Sequence, residues 1–272
     1  MNFAIIGATG NVGRKIIEVL EKSNLEIDNL FLVASEKSAG QKLFFKKKEI
    51  IVEQLEKYDF SKAGITIFAA GSEIAKNWAP QASKKTIVID NSKYFRMKND
   101  VPLVVAEVNP DDLKIHKNII ANPNCSTIQL MLPLKPLHDK YKIRRVIVST
   151  YQAVSGAGKA SADELLNQTK DYLDGKKIKS KNFTKQIAFN LIPHIDSFVE
   201  DGYTKEEWKM ENETKKILDK KIGLTATCVR VPVKTSHSES VNIEFENEYD
   251  FETIKKILKN APGCKVVDEH KD

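Results

Sequence analysis

Cys125 lies in Ala121-Asn122-Pro123-Asn124-Cys125-Ser126-Thr127-Ile128, after an Asn-Pro-Asn turn and before a helix-like apolar run over residues 127–132. A thiol at a helix N-terminus has its thiolate stabilised by the helix dipole and free N–H groups, which makes it a better nucleophile near neutral pH. Most cysteines are instead small buried hydrophobes, and this context alone leaves both readings open. Cys228, on a strand-like run, and Cys264, in a loop, read as structural. The three cysteines show no Cys-x-x-Cys spacing, so neither a disulfide framework nor a metal site is expected, and a reducing compartment fits.

A thiol nucleophile needs a proton partner. Of the five histidines, His116 and His138 stand in charged surroundings and read as surface residues; His270 falls in the C-terminal tail, and His194, after Pro193, reads as packed. His237 lies in Thr235-Ser236-His237-Ser238-Glu239, which reads as a polar loop between two strands, and is the best acid/base candidate. Arg230 projects from the strand Cys228-Val229-Arg230-Val231-Pro232, where an unpaired charge is costly. A substrate carboxylate or an internal salt bridge would equally satisfy it. Arg96, in Ser92-Lys93-Tyr94-Phe95-Arg96, is a second anion clamp. Glu206 and Lys209 share one helix face, either as a surface ion pair or as a binding edge.

A third chemical signal stands at the N-terminus. Gly7-Ala8-Thr9-Gly10-Asn11-Val12-Gly13 follows an apolar strand over residues 2–6 and opens a helix whose pattern uses Val12, Ile16, Ile17, Val19 and Leu20. In the first turn of a strand-helix-strand unit, such glycines permit a tight turn and let the backbone approach a pyrophosphate at the helix N-terminus. The end of the second strand, Ala34-Ser35-Glu36-Lys37-Ser38, carries both an acid, which would suit the NAD ribose, and a base with hydroxyls. Ser35, Lys37 and Ser38 favour the 2′-phosphate of NADP.

Positioning these groups requires two kinds of scaffold. Short apolar runs at 2–6, 30–34, 65–70 and 87–90 alternate with helical patterns, one of them over 72–83 with Ser72 as cap and Pro80 near its end. That is the pattern of a doubly wound, Rossmann-like α/β domain with a parallel sheet. Downstream, strands at 146–151, 224–233 and 241–245 mix with helices at 160–173, 204–218 (capping box Thr204/Glu207) and 251–258; residues 175–185 read as a Lys-rich surface loop. An α+β catalytic and dimerisation domain with a mixed or antiparallel sheet fits them. The expected division is 1–124 and 125–272.

The 272-residue chain has 41% hydrophobic and 29% charged residues, the balance of an ordinary folded protein. Its net charge of +6 comes from dispersed lysines, and the run Lys46-Lys47-Lys48 lacks interleaved aromatics, so a nucleic-acid partner is not expected. No apolar run approaches the roughly 20 residues of a membrane span. The first residues enter a strand with no leader pattern, so a cytoplasmic location is expected.

Taken together, the glycine turn, residues 34–40, Asp90-Asn91-Ser92 with Tyr94-Phe95-Arg96, Pro123-Asn124-Cys125-Ser126-Thr127, residues 149–159, Glu206-Glu207-Trp208-Lys209 and residues 230–239 resemble, in order along the whole chain, the aspartate-semialdehyde dehydrogenase family. The most specific stretches are Ser149-Thr150-Tyr151-Gln152-Ala153-Val154-Ser155-Gly156-Ala157-Gly158 and His237-Ser238-Glu239-Ser240. The resemblance implies that Cys125 is the nucleophile, Gln152 its orienting partner and His237 the acid/base. It implies Arg230 for the substrate carboxylate, Glu206 for its amino group, and Arg96, Asn124 and Lys209 for phosphate. Residues Thr9, Gly10, Asn11 and Val12, with Lys37, Ser38, Ser155 and Gly156, are implied as NADP contacts. Lys37 stands where the family often has arginine, keeping the charge but losing the planar fork. The implied reaction turns aspartyl phosphate into aspartate semialdehyde through a Cys125 thioester reduced by NADPH, in a homodimer, on the route to lysine, threonine, methionine and diaminopimelate. Two alternatives are a non-catalytic nucleotide-binding remnant and an N-acetyl-γ-glutamyl-phosphate reductase; Tyr151-Gln152-Ala153 and residues 206–209 argue against the latter.

Family members are expected to continue past the equivalent of Val266-Val267-Asp268 with further strands, a helix and an Asn/Gln contact near the nicotinamide. On that reading the chain alone is expected to be weakly stable and to lose activity, through an exposed sheet edge. Thermal unfolding followed during titration with NADP checks this; a cooperative transition that moves upward with NADP counts against it.

Overall fold

The computed structural model describes residues 1–269, so His270 lies outside the described residues. The chain forms two compact units, residues 1–104 with 110–123, and residues 105–109 with 124 onward. Asn124 groups with the second unit because its side chain caps the helix that begins at Cys125.

The first unit contains β1 (Asn2–Ile6), α1 (Asn11–Lys22), β2 (Asn29–Ala34), β3 (Lys42–Phe45), β4 (Lys48–Ile51), β5 (Glu53–Gln54), β6 (Ile65–Phe68), α2 (Ser72–Ala82), β7 (Ile87–Asp90) and β8 (Ile119–Ala121). Six of its strands form one parallel sheet in the order β5-β2-β1-β6-β7-β8, and β3 and β4 form a separate hairpin. Phe3 and Ile5 on one face of β1 pack with Ile17 and Leu20 of α1 and with Leu43 and Phe45 of the hairpin. On the opposite face an aromatic chain runs from Phe31 through Tyr58 and Phe60 to Phe68 and Trp78. Both faces are therefore apolar, which explains why β1 reads as a continuous hydrophobic run rather than an alternating one. Strand order reverses between β1 and β6, the usual place for a ligand crevice in such sheets.

The second unit contains α3 (Cys125–Tyr141), β9 (Ile143–Gln152), α4 (Lys159–Leu173), α5 (Lys205–Ile217), β10 (Gly223–Arg230), β11 (His237–Phe245) and α6 (Phe251–Asn260). Its sheet is mixed: β9 is central, parallel to β10 and antiparallel to β11. Even-numbered β9 residues Val146, Val148, Thr150 and Gln152 are buried, whereas Ile147 and Tyr151 on the other face are exposed. The capping box of α5 is present: Thr204 accepts from the Glu207 N–H, and Glu207 accepts from the Thr204 N–H at 2.7 Å. The other Glu207 oxygen accepts the Cys228 N–H of edge strand β10 at 3.0 Å, so one carboxylate ties helix start to sheet.

Several elements depart from their sequence reading. Ser72 is the first residue of α2, and the capping position belongs to Gly71 in a left-handed conformation (φ +84°); Pro80 removes the N–H that would bond the Lys76 carbonyl, and the helix ends two residues later at Ala82. Helix α3 runs to Tyr141 through Pro133 and Pro136, far beyond the apolar run, because its buried face continues with Leu134, Leu137 and Tyr141. That extension carries His138 inside: it is 8% exposed, and its Nδ1 accepts the N–H of Ile143 at 3.1 Å. His138 is thus a connector between α3 and β9, not a surface residue. On α1 the buried face is Gly13, Ile17 and Leu20, leaving Val12 and Val19 exposed. His237 begins β11 instead of lying in a loop, opposite Gln152 of β9.

Replacing Glu207 with Ala strips the acceptor from two buried N–H groups, and should destabilise the protein by about 2–3 kcal/mol in urea unfolding. Glu211→Ala, which removes only a partly exposed pair with Lys215, should cost less than about 0.5 kcal/mol. Equal losses would contradict the tie.

Candidate active site

A buried carboxylate organises the second unit. Glu206 on α5 is 5% exposed. Its Oε1 accepts from Asn124 Nδ2 and from Gln152 Nε2, both at 3.0 Å, and its Oε2 accepts from Lys209 Nζ at 2.7 Å. Burial alone would push this carboxyl up. The Lys209 charge and the donors from Lys209, Gln152 and Asn124 outweigh it, and the group is held below the ordinary carboxylate range. Lys209 also reaches Asp196 at 3.3 Å; its side chain is only 14% exposed, so this is an inward-facing ion pair and not a surface one.

Asn124 is fixed from four directions. Its Oδ1 accepts from the N–H groups of Ser126 (2.9 Å) and Thr127 (3.3 Å), its Nδ2 holds Glu206, and its own N–H donates to Glu213 at 2.6 Å. The helix N-terminus is thereby pinned, and Cys125, the first helical residue, is presented with an exposed side chain. Its Sγ lies 3.3 Å from His237 Nε2. On the other side of the ring, Nδ1 accepts the N–H of Ala153 at 3.0 Å. An accepting Nδ1 carries no proton, so the neutral ring holds its proton on Nε2, facing the sulfur. Burial, with the Arg230 charge, pushes His237 below the ordinary histidine value, against a favourable Ser236 carbonyl and the Glu206 charge. The neutral, Nε2–H form therefore prevails at neutral pH, aimed to donate to a thiolate.

Arg230 closes the site at the end of β10. It is 7% exposed, and its Nη1 donates to the Ala153 carbonyl at 2.6 Å. Burial lowers its pKa, opposed by the charge of Glu206, which reaches it without a direct ion pair. Among the described residues no carboxylate forms a direct ion pair with Arg230. Arg230 borders a pocket of about 220 Å³ together with Ala157, Asn182, Ile192, His194 and Asp196. Gly156 packs on the same groups: a Cβ there would stand 3.3 Å from His237 Cε1 and 3.4 Å from Arg230 Nη1. Ser155 neighbours it in the same short turn. Gln152 donates to Glu206 and accepts from Thr150 Oγ1 at 3.0 Å, so its amide supports the hub beside Cys125.

In the first unit the remaining expected residues gather at the carboxyl ends of β1 and β2, which are adjacent strands. Gly7 has φ +86°, and a Cβ would meet Ala69 O at 2.8 Å; a Cβ on Gly13 would meet Gly7 O at 2.3 Å. Both positions need glycine for close backbone approach. Thr9 is half-buried, and Gly10, Asn11 and Val12 are exposed at the mouth of α1, whose N-terminus no side chain caps. Ser35 and Lys37 are exposed and Ser38 half-buried in the turn after β2. An uncapped helix N-terminus behind a glycine turn, at the strand-order reversal, fits a dinucleotide's pyrophosphate. Arg96 is 8% exposed, its Nη2 donating to the Asn91 carbonyl at 3.1 Å.

The model for "Semialdehyde dehydrogenase, NAD binding domain" matches residues 2–116, and that for "Semialdehyde dehydrogenase, dimerisation domain" matches residues 134–272. The aspartate-semialdehyde dehydrogenase of Aquifex aeolicus is 54% identical over 271 residues, covering 97% of this chain and 80% of the relative. The chain belongs to the aspartate-semialdehyde dehydrogenase family. A crystal structure of the Vibrio cholerae aspartate semialdehyde dehydrogenase II complexed with ASA is 47% identical, with a TM-score of 0.95, over 96% of this chain and 79% of that one. The Candida albicans aspartate semialdehyde dehydrogenase with NADP is 27% identical, with a TM-score of 0.73, over 95% and 76%. Family membership makes the chain an oxidoreductase with a Rossmann-type nicotinamide-dinucleotide domain, and favours neither alternative reading.

Sequence reasoning passed over Glu213 and the supporting role of Glu207. The available signal was their helical spacing: Glu206, Met210, Glu213 and Ile217 form one buried stripe on α5, and carboxylates on such a stripe must have buried donors. Glu206→Gln should destabilise by about 3 kcal/mol at pH 7. Because the folded carboxyl titrates below its ordinary value, its contribution is present above about pH 4.5 and fades as pH falls through the folded value. Urea unfolding of both proteins from pH 7 down to 3 should show the gap closing; a gap independent of pH would count against the anionic hub.

Proposed function

We propose that this chain forms L-aspartate 4-semialdehyde from L-4-aspartyl phosphate by NADPH-dependent reductive dephosphorylation, in lysine, threonine, methionine and diaminopimelate biosynthesis in the cytoplasm. The observation that carries the reading is the Cys125 sulfur 3.3 Å from a His237 Nε2 whose tautomer is set by Ala153. The Cys125 thiolate, steadied by the Nε2–H, forms a C–S bond with the acyl carbon. The C–O bond to phosphate breaks, and phosphate leaves with the electron pair. His237 then offers the same N–H to the acyl oxygen as negative charge develops there. The dinucleotide, when bound, supplies hydride. When the adduct collapses, the C–S bond breaks, sulfur regains its pair, and Nε2–H again faces a thiolate.

Arg230 takes the substrate carboxylate: a buried guanidinium with no directly paired carboxylate has its charge left for a ligand. Glu206 is the contact for the substrate ammonium, and Lys209, Asn124 and, in the first unit, Arg96 are phosphate contacts. The glycine turn with Gly7, Thr9, Gly10, Asn11, Val12 and Gly13, and Ser35, Lys37 and Ser38 after β2, hold NADP, with Ser155 and Gly156 as further contacts; the NADP-bound relative supports this choice. A homodimer is supported by the matched dimerisation domain and by the exposed Ile147 and Tyr151 on the uncovered face of β9.

NADP reduction with aspartate semialdehyde should require phosphate and should fall at least about a thousandfold in Cys125→Ala. Arg230→Lys should lower kcat/KM for the semialdehyde about a hundredfold, the worth of a charged bidentate contact. Lys37→Ala should raise the KM for NADP about tenfold and leave that for NAD unchanged. Turnover that is independent of phosphate, or that survives Cys125→Ala, would sink the reading.

A further inference from the structure

The segment 176–188 forms neither helix nor strand, and its lysines at 176, 177, 179, 181 and 185 are exposed. A stretch of that kind ordinarily opens easily, because few apolar contacts offset the entropy of its backbone. Two buried side chains one turn apart on α4 hold this one: Glu164 is 7% exposed and Gln168 2%. Glu164 Oε1 accepts the Lys181 N–H at 3.0 Å, and its Oε2 accepts from the Asn182 N–H at 2.7 Å and from Asn182 Nδ2 at 2.6 Å. Gln168 Nε2 donates to Glu164 Oε1 at 2.9 Å and to the Lys179 carbonyl at 3.1 Å, while its Oε1 accepts the N–H groups of Ile187 (2.9 Å) and Ala188 (3.2 Å). The segment so held is a wall of the pocket at Arg230, to which it contributes Asn182, Phe183 and Thr184. Just beyond it the chain returns to Arg230 itself: Ile192 and Arg230 exchange backbone hydrogen bonds of 2.9 Å in both directions. Ile187, Ala188 and Ile192 pack with Val154, Ala162 and Leu165. A carboxylate buried at such cost has no part in the chemistry described above.

We propose that Glu164, with Gln168, is a positioning residue that holds residues 179–188 as a wall of the substrate pocket and so fixes the space in which Arg230 meets a small carboxylate-bearing substrate. The claim deepens the functional reading above and rests on it for its effect on substrate affinity, but not for its effect on the segment. Glu164 acts on binding and not on the thiol, because its bonds end at the wall. Cys125 and His237 are held separately, by Asn124 and by the Ala153 N–H. The wall also needs Glu164 more than it needs apolar packing at its start, since Lys181 and Asn182 are exposed and only their backbone and amide donors are anchored.

The test compares Glu164→Ala, Glu164→Gln and Asn182→Ala with the parent by steady-state kinetics, by Cys125 alkylation with iodoacetamide and by limited digestion with trypsin. Glu164→Ala should raise the KM for the semialdehyde about tenfold, with kcat, the KM for NADP and the alkylation rate within about twofold. Cleavage after Lys179, Lys181 and Lys185 should quicken at least about tenfold in the same protein. Glu164→Gln keeps one accepting oxygen and should fall between Glu164→Ala and the parent in both readouts. Asn182→Ala alters an exposed residue and folds even if Glu164→Ala does not; it should raise both the KM and the cleavage rate about threefold. Parent-like KM and cleavage in Glu164→Ala, or in Asn182→Ala should the former not fold, would overturn the proposal. So would faster cleavage at an unchanged KM, or a loss of kcat and alkylation as large as the rise in KM. Digestion needs no turnover, so a parent chain inactive with aspartate semialdehyde would refute the substrate reading while the cleavage rates still decide whether Glu164 holds the wall.

Discussion

An ionised carboxylate can stay buried only if donors replace the water it has lost, and those donors must come from elements that are already in place. Glu206 imposes that condition on the second unit. Its two oxygens gather the cap residue of α3, the last residue of β9 and a lysine of its own helix. Each donor has another task. Asn124 closes the helix N-terminus before Cys125, Gln152 stands in register with His237, and Lys209 also binds Asp196. Losing the carboxylate would leave the Asn124 and Gln152 amides unsatisfied and Lys209 with Asp196 alone, which makes the arrangement cooperative.

The reactive pair inherits its geometry from this frame. Cys125 points outward because Asn124 fixes the first turn, and His237 is oriented because Ala153 donates to the far side of its ring. The same Ala153 accepts from Arg230 through its carbonyl, so a single peptide sets both the histidine tautomer and the arginine position. Glycine at 156 leaves room for both, within 3.4 Å of where a Cβ would sit. Burial, aided by the Arg230 cation, keeps that histidine neutral, and a neutral ring can serve sulfur as a hydrogen-bond donor rather than as a counter-ion.

In the first unit the corresponding constraint is steric. Gly7 and Gly13 stand where any Cβ would strike backbone, which lets the turn fold tightly against the start of α1. The uncapped helix end that results carries unsatisfied N–H groups, a liability unless an anion meets them. The exposed Ser35 and Lys37, with the half-buried Ser38, follow the end of the neighbouring strand. Apolar burial on both faces of the parallel sheet holds the two turns at adjacent strand ends, so the recognition elements are short while the support is large.

The sequence alone determined what depends on neighbours along the chain. The glycine turn, the alternation of strand and helix, the Thr204/Glu207 capping box and the turn-then-helix setting of Cys125 were all legible, since local sterics and hydrogen bonding within a few residues decide them. Tertiary structure alone decided which side chains had to be charged and buried together. Helix α3 outran its apolar run and took His138 inside, because packing against the sheet overrode two prolines. His237 joined a strand because β9 supplied its ladder, and Glu206 became a hub because Asn124 and Gln152, 82 and 54 residues away in sequence, were brought to it. Periodicity records which face of an element is buried, but the partner a buried polar group finds there belongs to another element, and no local pattern encodes it.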